Sequence, residues 1–122
     1  MTLNERIIAV VTPIVPVCVP DLLVTEAGET PPERYCTFNY TEIPEGIGDN
    51  AAHLTRALVQ VHYFAPLKAS TLAVRHALRD AIAAVDDFTL PSIENATDAT
   101  GQHYVLEFDA LGRWKVEDDG QS

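Results

Sequence analysis

Hydrophobic and polar positions alternate in three stretches of this chain. In "TRALVQVHYFAP", residues 55–66, Ala57, Val59, Val61 and Tyr63 fall on one side and Arg56, Leu58, Gln60 and His62 on the other, until Pro66 stops the pattern. In "RYCTFNYTEI", residues 34–43, Cys36, Phe38 and Tyr40 oppose Tyr35, Thr37, Asn39 and Thr41. In "QHYVLEFDA", residues 102–110, Tyr104, Leu106 and Phe108 alternate with His103, Glu107 and Asp109. A period of two in segments rich in β-branched and aromatic residues predicts half-buried strands. The segment "PEGIGDN", residues 44–50, has two glycines and no period, so the first two strands are expected to form a long antiparallel hairpin with a mildly acidic tip.

Two other stretches repeat at helical spacing. Leu3, Ile7, Ile8 and Val11 form one stripe behind Thr2 and Glu5, which have capping-box spacing, and Pro13 closes the pattern, predicting a helix from Leu3 to about Thr12. The second helix is expected from an N-cap at Ser70 to about Val85. Its core face would be Val74, Ala77, Leu78, Ala81, Ile82 and Val85, with Arg75, His76, Arg79 and Asp80 outside. Prolines 13, 16 and 20 limit the run between them to an irregular segment or a short edge strand near Cys18. "TEAGETPPER" is an acidic surface loop, and the connection from Asp86 to Gly101 has room for a short strand around Phe88 to Ile93. These elements predict an α+β domain over residues 1–112: an antiparallel sheet of three to five strands with a long hairpin, and two helices on one face. Residues 113–122 would be an acidic, fraying tail, with Trp114 packing back onto the body.

Composition narrows the partners. The 122 residues carry 18 acids against 8 bases, a formal charge of −10, which opposes phosphate binding but suits a wall that DNA slides past. The longest apolar stretch is broken by Thr12 and its prolines, so no membrane helix is expected. The opening "MTLNERII" lacks a basic region followed by an apolar core, so a signal peptide is not expected and the cytoplasm is the expected site of synthesis and residence. Cys18 and Cys36 would then be buried free thiols.

Candidate chemistry is sparse. His53, His62, His76 and His103 show no metal-ligand spacing in sequence. His62 and His103 would become neighbours if their strands pair, as a weak metal or pH-sensitive site or, more plainly, as two solvated histidines. Cys36 with a histidine base would make a nucleophile, but its phase with Phe38 and Tyr40 puts it on the core side. Asp86, Asp87, Glu94 and Asp98 lack calcium-loop spacing, and "EGIGDN" lacks the third glycine of a dinucleotide fingerprint. No catalytic residue, cofactor site or metal site is assigned, and an enzyme is not expected.

"YCTFNY", "RALVQVHYFAP", the helix "STLAVRHALRDAIAAV", the strand "HYVLEFD" and the opening "LNERIIAVV" together resemble the small tail-terminator or tail-completion proteins of long-tailed bacteriophages. The proline-rich run to Pro20 and the acidic end after Leu111 depart from that pattern. The resemblance implies a virion structural protein of the neck, assembled in the host cytoplasm. Such a protein forms a homo-hexameric ring that caps the tail tube protein and docks the head-tail connector protein, with DNA passing through unbound. A closed ring needs a head-to-tail interface. The row Arg56, Leu58, Gln60 and His62 is the candidate inter-subunit or lumen face, and Glu45, Gly46, Ile47, Gly48 and Asp49 are the candidate partner-contact loop. The alternatives are a head-completion or connector protein of the same neck, and a cytosolic α+β ligand-binding module using the sheet face near His62 and His103 as a pocket.

Overall fold

Helix α1 spans Leu3–Val11, and the reciprocal cap expected at its start is present: the Thr2 hydroxyl accepts from the Glu5 amide at 3.2 Å, and the Glu5 carboxylate accepts from the Thr2 amide at 2.8 Å. These bonds hold the Glu5 carboxyl below its ordinary range, the Thr2 backbone amide contributing most. Leu3, Ile7 and Val11 are buried. Thr12 caps the other end, its hydroxyl donating to the Ile8 carbonyl at 2.9 Å. The computed structural model describes residues 1–44 and 55–112. The expected hairpin tip, including the contact loop from Glu45 to Asp49, lies outside those residues, as do His53, Trp114 and the acidic tail.

The remaining elements are β1 (Cys18–Pro20), β2 (Tyr35–Pro44), β3 (Thr55–Ala65), α2 (Leu72–Ala83), β4 (Ser92–Asn95) and β5 (Gln102–Gly112). They build a five-stranded sheet in the order β1-β2-β3-β5-β4, giving the α+β class that the alternation predicts. The pairings β2–β3, β3–β5 and β5–β4 are antiparallel. β1 corrects the expectation of a wholly antiparallel sheet: it runs parallel to β2, with Cys18 opposite Cys36. The 14 residues between β1 and β2 are long enough to carry the chain back to the same end. Pro20, which has no amide hydrogen, sits in an edge strand, where its missing donor costs no ladder bond.

The short strand expected around Phe88 to Ile93 is divided. Phe88 bridges to Ala110, and β4 begins only at Ser92, after Pro91. Between these pairs one segment advances four residues while β5 steps back three, from Ala110 to Glu107, so an extra residue is accommodated as a bulge at the proline.

One apolar cluster joins α1, α2 and the strands. Phe38, Val59, Val61, Tyr63 and Leu106 are buried in it with Leu3, Ile7, Leu78 and Ile82. Each helix also contacts a strand tyrosine. Tyr40 donates to Asn4 of α1 at 2.7 Å, and the Arg75 guanidinium of α2 lies 4.1 Å from the centre of the Tyr104 ring. Tyr63 is fully buried, and its hydroxyl accepts from Arg34 at 3.0 Å.

Helix α2 departs from its expected face. Leu78 and Ile82 are buried and Val74, Ala81 and Val85 half-buried, but Ala77 is exposed. Arg75, expected outside, is half-buried over Tyr104, with its Nε buried and without a hydrogen-bond partner among the described residues. The apolar stripe is therefore narrower than periodicity suggests, because a long arginine stem covers part of the ring instead. The N-cap also differs: the helix starts at Leu72, and Thr71 occupies the cap without its hydroxyl oxygen accepting a bond from a helix amide. That hydroxyl donates instead to Gln102 at 2.9 Å.

Candidate functional site

Because side chains alternate along a strand, register decides which polar groups meet. β3 is paired on both sides from Thr55 to Phe64, so the predicted row occupies the middle of a three-stranded face. Asn39 lies opposite Gln60, Thr41 opposite Leu58, Gln60 opposite Glu107, Leu58 opposite Asp109, and Phe64 opposite His103. The structure thus places Arg56, Leu58, Gln60 and His62 on one face, as the alternation predicts.

These groups largely satisfy one another. Arg56 pairs with Asp109 at 3.6 Å, and the Gln60 amide donates to Glu107 at 3.3 Å. His62 Nδ1 lies 2.8 Å from His103 Nε2, and its Nε2 lies 3.3 Å from the Asn39 amide nitrogen. If that amide donates to Nε2, the His62 proton sits on Nδ1 and points at His103. Each exposed pair stabilises the fold by only about 0–1 kcal/mol. Their larger effect is that few polar groups on this face still require water. Leu58 interrupts the row and is 36% exposed, with Leu111 at 40% on β5 beside it.

Rings extend the face toward Pro66. Tyr35 stacks on Phe64 with centroids 4.8 Å apart, and Phe64 stacks on His103 at 4.4 Å. Phe64 was not among the sequence candidates, although it continues the phase of Gln60 and His62; that phase, carried on to an aromatic two residues before the strand-ending Pro66, was the available signal. Each such contact adds about 0.5–1.5 kcal/mol beyond area burial. Beside this stack is an open cleft of about 230 Å³, lined by Glu33, Tyr35, Phe64, Asp98, Gln102 and His103 among others.

The histidine pair is electrostatically tuned. Burial, then the neighbouring His103, pushes the His62 pKa below its usual value. His103 is also lowered by burial, against an opposing pull from Asp98. Asp98 is itself held low by hydrogen bonds from the Thr100 side chain and amide, so it serves its own turn rather than a shared cation loop with Asp86, Asp87 and Glu94. Among the described residues no group of three or more histidine, cysteine or carboxylate side chains is placed to hold a metal ion.

The thiols are buried and free. Desolvation pushes Cys18 up to about 11 and Cys36 higher still, with Cys18 adding to the second shift. A thiol in that state is a poor nucleophile at neutral pH, and the structure places Cys36 in the core rather than beside His62 or His103.

The most connected polar residue escaped the sequence reading. Gln102 is buried; its Nε2 donates to the carbonyls of Pro66 at 2.9 Å and Ala69 at 2.8 Å, with Leu67 at 3.3 Å sharing a proton. Its Oε1 accepts from Thr71 at 2.9 Å and Tyr104 at 2.6 Å. This side chain fastens the turn between β3 and α2 to the start of β5. Gly101 precedes it because a Cβ there would sit 3.1 Å from the Ala65 carbonyl oxygen.

No known family model matches the chain, and no match is found among curated proteins. Among the described residues no helix is long and apolar enough to cross a membrane.

Proposed function

We propose that this chain is a virion structural protein at the head–tail junction of a long-tailed bacteriophage, assembling as a hexameric ring that caps the tail tube and receives the head. The observation that carries the proposal is the outer face of β2, β3 and β5. Its polar groups are bonded pairwise, Arg56 to Asp109, Gln60 to Glu107 and His62 to His103, while Leu58 and Leu111 stay exposed between them. Covering a face whose polar groups already have partners forfeits few bonds to water, and covering its leucines is favourable. Those are properties of a subunit contact. With six copies at −10 each, a ring would present a lumen that DNA passes without adhering.

A ligand-binding module remains the alternative class, and the cleft beside His103 is the observation in its favour. At about 230 Å³ it falls below the roughly 300–1,000 Å³ of ordinary ligand pockets. Native mass measured against protein concentration, with tail tubes added as template, separates the readings. The expected result is a closed six-copy species for the wild type and its loss in Leu58→Glu, with the folded state of the variant intact. A Leu58→Glu chain that still assembles with tubes as the wild type does would refute the interface.

A further inference from the structure

Cys18 and Cys36 are directly opposite one another where β1 pairs with β2, and both are buried in the same apolar cluster. Residues opposite one another on neighbouring strands point to the same side of the sheet, so the two thiols lie side by side. A strand spacing of about 4.8 Å places their Cα atoms inside the roughly 4.4–6.8 Å window of disulfides. The register is fixed on both flanks: the Cys36 amide donates to the Val17 carbonyl and the Asp21 amide to the Phe38 carbonyl, each at 2.8 Å. β1 is an edge strand of three residues with one neighbour, so it can make the small approach that bond closure needs. Cys18 also adds to the upward shift of the Cys36 thiol, the electrostatic sign of a close pair.

We propose that Cys18 and Cys36 are an oxidation site, which a disulfide oxidant such as glutathione disulfide converts to an intrachain disulfide stapling the edge strand β1 to β2. Cys18 reacts first, because it keeps 7% exposure against 0% for Cys36 and only β1 has to open to bring it to solvent. Pro20 has no amide hydrogen, so few bonds resist that opening. Within the sheet burial holds the Cys18 thiol at about 11; in the opened strand it returns toward about 8.5. Its thiolate attacks one glutathione sulfur and expels a glutathione thiolate, leaving a mixed disulfide. When β1 closes again, Cys36 loses its proton and attacks the Cys18 sulfur, expelling the second glutathione. Two protein thiols are oxidised and one glutathione disulfide is reduced to two thiols, which carry the two protons away. A reducing compartment keeps the pair open, and the staple forms where oxidant prevails. The site is complete within one chain, so it does not rest on ring assembly.

The test incubates the reduced full chain, at micromolar concentration and pH 8, with millimolar glutathione disulfide, followed by intact mass, alkylation in denaturant and peptide mapping. The expected wild-type product is a monomer lighter by two hydrogens, with no alkylatable thiol and with the Cys18 and Cys36 peptides joined. Its melting temperature should rise by roughly 5–10 °C and fall back on treatment with dithiothreitol. Cys36→Ser should instead gain one glutathione at Cys18, and Cys18→Ser should react far more slowly, with far-ultraviolet circular dichroism showing both variants folded. A wild type that keeps both thiols, or that stops at glutathione adducts as Cys36→Ser does, would overturn the proposal. So would a product whose disulfide joins two chains.

Discussion

Replacing Gln102 by Met removes one buried amide while nearly preserving its length, and the structure allows the loss to be estimated. Gln102 has two amide hydrogens, so the bonds to Pro66 and Ala69 are full and the longer one to Leu67 is shared. With the bonds from Thr71 and Tyr104, four full hydrogen bonds disappear at about 1 kcal/mol each. Thr71 and Tyr104 are buried, so their hydroxyls keep a desolvation cost that water cannot relieve, while the loop carbonyls near the surface can turn outward. A better-buried thioether offsets part of this. The net expectation is a destabilisation of about 3–5 kcal/mol, which in a chain of this size lowers the melting temperature by roughly 10–20 °C. Urea unfolding followed by far-ultraviolet circular dichroism measures it, with Gln60→Met as the control, since Gln60 has a single 3.3 Å partner on the outer face. Gln102→Glu should be destabilising too, and increasingly so as pH rises, because a carboxylate would face the carbonyls that now accept protons. A loss below about 1 kcal/mol in Gln102→Met, or one equal to that of Gln60→Met, would refute the claim that this side chain secures the β3–α2 turn.

Two further outcomes follow from burial and charge. Leu78→Ala, at a fully buried position, should cost about 2–5 kcal/mol in chemical unfolding, whereas Ala77→Lys, one residue earlier and exposed, should stay within about 0.5 kcal/mol. For the histidine pair the folded-state pKa values lie below the ordinary 6.5, so between those values the unfolded chain binds more protons. Stability from this source is therefore complete above about pH 6.5 and is lost as pH falls through the folded-state values, with Asp98 moderating the effect at His103. Urea midpoints at pH 7.5, 6.5 and 5.5 should decline in the wild type and decline less in the His62→Gln/His103→Gln double variant.

The legible parts of the molecule were those set by local pattern. The capping box at Thr2 and Glu5 needs only residues three apart, and the alternation of Val59, Val61 and Tyr63 against Gln60 and His62 fixes which side faces the core wherever a strand forms. The meeting of His62 and His103 was legible as a condition, because it needed only that their strands pair. The parts that escaped depend on tertiary partners. Ser70 fits the cap position by spacing; the helix nonetheless starts one residue later, behind Thr71, whose hydroxyl is held by Gln102. Ala77 fits an apolar stripe by spacing, yet Arg75 covers Tyr104 while Ala77 faces outward. The parallel direction of β1 depends on the path of residues 21–34, which have no period to read. Gln102 resembles any polar residue at a strand start until the three carbonyls between Pro66 and Ala69 are placed around it.

The central position of β3 also governs the order in which the fold can be completed during synthesis. β2 and β3 are consecutive and can pair as soon as both have left the ribosome, but the other edge of β3 must wait for β5, which 36 intervening residues separate from it. In that interval a strand of 11 residues presents an open row of amides and carbonyls, the form of backbone that recruits other strands. Closing it requires contacts far apart in sequence, which form slowly. A nascent or truncated chain lacking β5 is therefore the species most exposed to aggregation, and the vulnerable interval ends only when β5 takes its place against β3.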